Sequence, residues 1–132
     1  MAAGDAVVAP VIDILLVLVL FQIKHFVVDF PLQPAWMYLN KGTWLHPGGL
    51  AHAGLHGFAT VLILLFFASP SAAIILALLE AVAHYLIDYA KMRINKGAGW
   101  GPTTHEQFWW LLGFDQLLHQ LCYLAIVWAL AR

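Results

Sequence analysis

Long apolar runs separated by short polar breaks set the plan of this chain. Four runs reach the length at which an α-helix crosses a bilayer, about 20 residues at a rise of about 1.5 Å each. They cover residues 11–30, 49–68, 71–91 and 106–131. Pro31 and Pro34 end the first run, since proline removes a backbone donor and biases the residue before it away from helix. Ser69-Pro70 makes a tight turn between the second and third runs. Two longer breaks, 32–48 and 92–104, are rich in Gly, Pro, Trp and Lys. Apolar residues occupy the whole circumference of each run rather than one stripe, as in a helix solvated by lipid. The pattern predicts an all-α fold, a four-helix transmembrane bundle forming one integral membrane domain over residues 1–132.

Composition agrees with the pattern. Of 132 residues, 63% are hydrophobic and 10% are charged, and the mean hydropathy is +0.83. A soluble domain of this size needs far more polar surface. The net charge of −1 gives no basic field for nucleic acid, and the one cysteine, Cys122, excludes an internal disulfide and a thiolate zinc site. The first run does not read as a secretory signal peptide, because residues 1–10 carry Asp5 and no Lys or Arg.

Charge also orients the bundle. Lys24, Lys41, Lys91, Arg93 and Lys96 lie on or next to the two longer connections, whereas the opposite side has Arg132 with Asp5 and Asp13. The Lys/Arg excess predicts a cytoplasmic connection side and an N-out, C-out topology. Trp36, Trp44, Trp100, Trp109 and Trp110 fall on the same side, as an interfacial belt would.

The polar residues inside the runs carry the chemistry. His25 and Asp29, His52 and His56, His84 and Asp88, and Asp115 and His119 form one i, i+4 pair per helix. Residues four apart share a helix face, so each pair can point into a common interior. Counting rise along each helix places all eight groups within roughly 3–18 Å of the cytoplasmic boundary. An Asp near a span centre costs roughly 2.5–3.5 kcal/mol on insertion scales, so three of them need compensation. A divalent metal supplies it best, because imidazole and carboxylate are its natural ligands. The expected ligands are His25, His52, His56, His84, Asp88 and His119. Asp29 and Asp115 are expected as ligand, orienting group or catalytic base. The donor set suits one or two ions, zinc first, with manganese or iron as alternatives.

Other polar residues receive plainer readings. Lys24 and Lys91 are expected to snorkel to the cytoplasmic interface, with contact to an anionic substrate as their functional alternative. Gln33 either completes the site on the substrate side or caps its helix. Glu80 reads as a protonated, hydrogen-bonded acid, with a proton relay as the alternative. Gln22, Gln116 and Gln120 read as interhelical glue, and Ala53, Gly54 and Gly57 as points of close helix approach. His46 and His105 fall in loops, and Cys122 reads as an apolar, lipid- or core-facing residue.

The run Lys24-His25-Phe26-Val27-Val28-Asp29-Phe30-Pro31-Leu32-Gln33 resembles the H-x-x-x-D-F-x-x-Q opening of an uncharacterised bacterial membrane family, domain of unknown function 3307. His56, His84-Tyr85-Leu86-Ile87-Asp88 with Lys91, and Asp115-Gln116 with His119 resemble its remaining motifs, so the likeness covers about residues 11–130. The resemblance implies a four-helix bacterial membrane protein, hence a multi-pass protein of the cell inner membrane, and no established activity. A more distant similarity is to the membrane-bound metal-dependent hydrolases, which also carry intramembrane His and Asp. The functional expectation is a metal-dependent hydrolase acting on a lipid or lipid-linked substrate at the cytoplasmic leaflet. Its alternatives are a metal or proton transporter, a di-iron oxygenase-like enzyme and a haem-binding protein. The expected partners are membrane lipid and a second copy of the chain.

Overall fold

The computed structural model describes residues 5–132, so the lead-in read for a signal sequence falls partly outside the described residues. The elements in order are α1 (Asp5–Asp29), α2 (Ala35–Tyr38), α3 (Pro47–Leu64), α4 (Pro70–Ala98) and α5 (Glu106–Leu130). All four long helices are long and apolar enough to cross a membrane, as the hydropathy pattern predicts. Their ends follow local chemistry. The His46 side chain accepts from Gly48 N at 3.0 Å and Pro47 takes the first helical position, so α3 starts where no backbone donor is wasted. Ser69 and Pro70 do the same for α4, with Ser69 Oγ accepting from Ala72 N at 3.3 Å. His46 is therefore a helix cap rather than a plain loop residue.

Several boundaries differ from the hydropathy reading: α1 starts at Asp5, α3 spans Pro47–Leu64 rather than 49–68, and α4 shows the largest change at its C-terminal end. α4 continues past Lys91 to Ala98, where Gly99 adopts φ 66° and returns its N–H to Asn95 O at 2.9 Å. Polar residues such as Lys and Arg are good helix formers, so the helix outlasts its apolar stretch and stops at the glycine. The short helix α2 was not expected; it lies on α3 and buries Met37.

The long helices close a ring in which α1 packs on α3, α3 on α4, α4 on α5 and α5 on α1. Outward positions such as Leu15, Val19, Ile23, Leu78, Leu79 and Val82 are exposed, as lipid-facing side chains would be. Inside, the half near the chain termini is apolar, built on Val17, Phe21, Leu64, Ala73, Tyr123, Ile126 and Val127. The half near the two longer connections is polar.

Lipid tails are as apolar as leucine, so association rests on close packing and interhelical hydrogen bonds rather than on the hydrophobic effect. Gly57 shows the first. A Cβ there would lie 3.0 Å from Ala81 Cβ and 3.3 Å from Ala77 O, so its absence lets α3 approach α4. Gly54 has nothing within 4 Å and plays no such part, contrary to expectation. Gln22 Nε2 donates to Gln120 Oε1 at 2.6 Å, tying α1 to α5 as the glue reading anticipates. Gly57→Val should lower the unfolding midpoint in detergent, at a cost of about 1–3 kcal/mol. Gly54→Ala should not lower it, and thermal unfolding followed by circular dichroism compares the two.

Candidate metal centre

The four i, i+4 pairs do meet. Asp29 closes α1, His52 and His56 open α3, His84 and Asp88 lie well along α4, and His119 faces them from α5. His52, His56, His84 and His119 are almost wholly buried. His56 and His84 stack with ring centroids 3.6 Å apart, and His119 lies tilted against His84 at 4.1 Å.

One ligand atom each from Asp29, His52, His56 and His84 falls within 4.8 Å of the others, and the same holds for His84, Asp88 and His119. These groups could hold a metal ion. In the first, His52 Nε2 and His56 Nε2 lie 3.1 and 3.0 Å from Asp29 Oδ1, and His84 Nε2 lies 3.1 Å from His52 Nε2 and 4.0 Å from Asp29 Oδ1. A tetrahedral zinc about 2.0–2.1 Å from each donor holds its donors about 3.3 Å apart, close to this spacing. In the second, His84 Nε2 is 3.4 Å from Asp88 Oδ2 and His119 Nε2 is 3.5 Å from Asp88 Oδ1. His119 Nε2 is also 3.5 Å from Asp115 Oδ1, and neither atom has a hydrogen-bond partner.

Hydrogen bonding within the protein does not satisfy this set. Nδ1 of His52, His56 and His84 is buried without a partner in each case. A neutral imidazole has one N–H, so any arrangement of protons leaves donors or lone pairs unanswered. Turning every Nε2 lone pair onto a cation resolves the inner atoms at once. It leaves Nδ1–H outermost, where metal-bound histidines meet their supporting carboxylates. Glu80 Oε1 is the nearest such group, 4.0 Å from His56 Nδ1 and 3.8 Å from His84 Nδ1.

The charges give an independent sign. Lys24 Nζ lies 3.0 Å from Glu80, Lys41 Nζ 2.8 Å from Asp88 and Lys91 Nζ 3.8 Å from Asp115. Among the described residues no lysine or arginine lies within 4.0 Å of the Asp29 carboxylate; His25, His52 and His56 surround it instead. With neutral imidazoles one carboxylate is left uncompensated, and it lies inside the first ligand group.

Three expectations are revised by these contacts. Lys24 does not snorkel: it is buried, its ammonium also 2.8 Å from Thr60 Oγ1, on the side of the centre away from the connections. Its partner Glu80 is an ion-pair acceptor, and Thr60 donates to the other carboxylate oxygen at 2.9 Å. His25 stays outside both ligand groups, because its Nδ1 meets the Tyr123 hydroxyl at 2.7 Å and its Nε2 lies 2.9 Å from both Gln116 Oε1 and Asp29 Oδ2. It orients Asp29. Gln33 donates to Asp29 O at 2.6 Å, closing the helix end. Lys91 is partly exposed beside Asp115, and Asp115 also accepts from Gln116 Nε2 at 3.1 Å.

Lys41, Thr60 and Tyr123 belong to this interior and were missed as site residues. Thr60 and Tyr123 continue the same spacing by one further step, four residues beyond His56 and His119, so the ladder could have revealed them. Lys41 sits in a connection, where no periodicity points to it.

In comparisons with known proteins, the family model described as "Protein of unknown function (DUF3307)" matches residues 17–132, which contain every residue of the centre. No curated protein and no solved structure matches the chain.

The Lys24–Glu80 pair offers a direct test of how this interior is held. Lys24→Met should destabilise the protein by about 3–5 kcal/mol, because it leaves a buried carboxylate unpaired. The double variant Lys24→Met/Glu80→Gln should recover most of that loss, measured by denaturant unfolding in detergent micelles.

Proposed function

Because the chain belongs to the DUF3307 family, whose description assigns no activity, we propose a function from its interior: a metal-dependent hydrolase acting on a lipid-linked substrate from within the membrane. One observation carries the reading. Asp29, the interior carboxylate without a lysine, shares a 4.8 Å cluster with three buried imidazoles. Imidazole with carboxylate at near-tetrahedral spacing favours zinc over harder cations, which prefer oxygen ligands.

His52, His56 and Asp29 would hold an ion on the α1–α3 side, and Asp88 and His119 would hold one on the α4–α5 side. His84 Nε2 belongs to both groups and can bind on one side at a time. The chemistry that a divalent ion would supply in this centre is a lowered pKa of water and polarisation of the group to be cleaved. Asp115, whose Oδ1 is unpartnered 3.5 Å from His119 Nε2, is placed to take a proton on the α4–α5 side. His25 fixes the second oxygen of Asp29 at 2.9 Å, and Glu80 lies behind His56 and His84, 4.0 and 3.8 Å from their Nδ1 atoms. The Lys-rich end faces the cytoplasm in this reading, which puts the centre in the inner half of a bacterial inner membrane.

A conduit is disfavoured by the other half of the interior. Beyond Lys24, Thr60 and Glu80 the packing passes into the Phe21, Leu64 and Tyr123 core, and among the described residues no buried ionisable ladder continues past it. Haem fits poorly as well, because stacked rings 3.6 Å apart leave no room for a macrocycle between them.

Purified protein should contain about one to two equivalents of zinc by elemental analysis. His56→Ala and His84→Ala should lose most of it, and His46→Ala and His105→Ala should keep it. Folded wild-type protein that takes up no zinc, manganese or iron on reconstitution would overturn the reading.

A further inference from the structure

The two ligand groups share one atom, which makes them rivals for an ion. His84 Nε2 is 3.1 Å from His52 Nε2 in the first group and 3.4 Å from Asp88 Oδ2 in the second. A neutral imidazole has one nitrogen lone pair to give, so His84 serves a single ion at a time. The rivals are not equal. The first group offers Asp29, His52, His56 and His84, and among the described residues no lysine or arginine lies within 4.0 Å of its carboxylate. The second offers only His84, Asp88 and His119, and Lys41 Nζ already rests 2.8 Å from Asp88 Oδ2. An ion there would face a second positive charge across one carboxylate in a low-dielectric interior.

The first long connection is built to keep Lys41 in place. Lys41 and Asp88 are both buried. Leu45 takes φ 54° and donates its N–H to the Tyr85 hydroxyl at 2.7 Å. The Trp44 ring meets Tyr85 and Tyr89 edge-on, 5.6 and 5.1 Å between centroids. A Cβ at Gly42 would lie 3.1 Å from Met92 Cβ, so the chain beside Lys41 presses directly on α4. Tyr85, Tyr89 and Met92 flank Asp88 along α4. The strap that carries the ammonium and the carboxylate that receives it are thus fixed to the same helix.

We propose that Lys41 is the resident cation of the second ligand group, so that the centre is mononuclear and its ion sits in the Asp29 group. This rests on the metal reading above and narrows it to one site and one deciding residue. Each interior carboxylate then has its own cation: Lys24 for Glu80, Lys41 for Asp88, Lys91 for Asp115 and the ion for Asp29. His119 Nε2, which has no hydrogen-bond partner, stays uncoordinated 3.5 Å from both Asp88 Oδ1 and Asp115 Oδ1. Removal of the Lys41 ammonium leaves Asp88 unanswered beside these two residues. Asp88, His119 and Asp115 then supply donors that do not depend on His84, enough for a second ion.

Zinc bound per chain tests the assignment, measured by elemental analysis on protein that remains monodisperse in detergent after zinc saturation and removal of the excess. Wild-type and Lys41→Arg protein should each hold about one zinc, and Lys41→Met about two. The added ion should disappear again in Lys41→Met/His119→Ala. With Lys41 intact, His119→Ala should keep its zinc and Asp29→Asn should lose it, which locates the ion even if Lys41→Met fails to fold. About two zincs in the wild-type, loss of zinc from His119→Ala, or folded Lys41→Met that gains none would each refute the assignment and leave a metal centre standing. Wild-type protein that takes up no metal removes the centre itself, so the two readings fail separately.

Discussion

A carboxylate inside a bilayer has to be answered by a cation, and most of this structure follows from that requirement. Four carboxylates occupy the interior, Asp29, Asp88, Asp115 and Glu80, where moving an unpaired charge out of water costs several kcal/mol in practice. Three meet lysines drawn from three different places: Lys24 from α1, Lys41 from the first long connection and Lys91 from α4. Each pair ties one part of the chain to another, so the same contacts that neutralise the interior also fix how the helices sit. Asp29 breaks the pattern. Its neighbours are imidazoles, which accept a proton or coordinate a cation but bring no permanent charge.

The division of the interior into two halves serves this arrangement. In lipid the apolar half cannot gain from exclusion of water, so it holds through packing and close backbone approach, as at Gly57 against Ala77 and Ala81. Phe21 stacks on Tyr123 at 5.1 Å between centroids, and the Tyr123 hydroxyl then reaches His25. One aromatic residue thus belongs to both halves, apolar through its ring and polar through its hydroxyl. The ammonium of Lys24 lies 4.8 Å from the same ring, which gives a buried charge a second favourable contact beside Glu80.

Much of this was legible in the sequence, for a definite reason. Helix existence and the meeting of the His and Asp pairs are read from periodicity, and a bilayer enforces periodicity because each span must satisfy its own backbone. The family resemblance was also legible, and the match over residues 17–132 bears it out, while the remoter likeness to membrane-bound hydrolases stays an analogy of residue types. What periodicity cannot report is direction within a face. Lys24 is adjacent to His25, and nothing in that spacing says whether its long side chain runs toward the headgroups or back toward Glu80. The Glu80 carboxylate decides it, through a contact 56 residues apart in sequence. Lys41 was hidden for a different reason. A connection has no repeat to interpret, and its fold depends on details such as Leu45 at φ 54°, whose N–H donates to the Tyr85 hydroxyl at 2.7 Å.

The lysine pairs also bound the centre along the bundle axis. Lys24 with Glu80 and Thr60 forms a floor toward the chain termini, and Lys41 on Asp88 forms a roof toward the connections. Floor and roof are both ion pairs, and opening either would strand a carboxylate. The sides are helix against helix, closed by Gly57 where α3 meets α4 and by Gln22 with Gln120 where α1 meets α5. The α4–α5 seam differs, since Lys91 and Asp115 line an apolar groove there and their ion pair, at 3.8 Å, is the longest of the three lysine pairs. A molecule entering by that seam would exchange no existing short ion pair for its own contacts. Approach from the lipid along this seam would disturb the fewest short ion pairs, which fits the proposed action on a membrane-borne substrate.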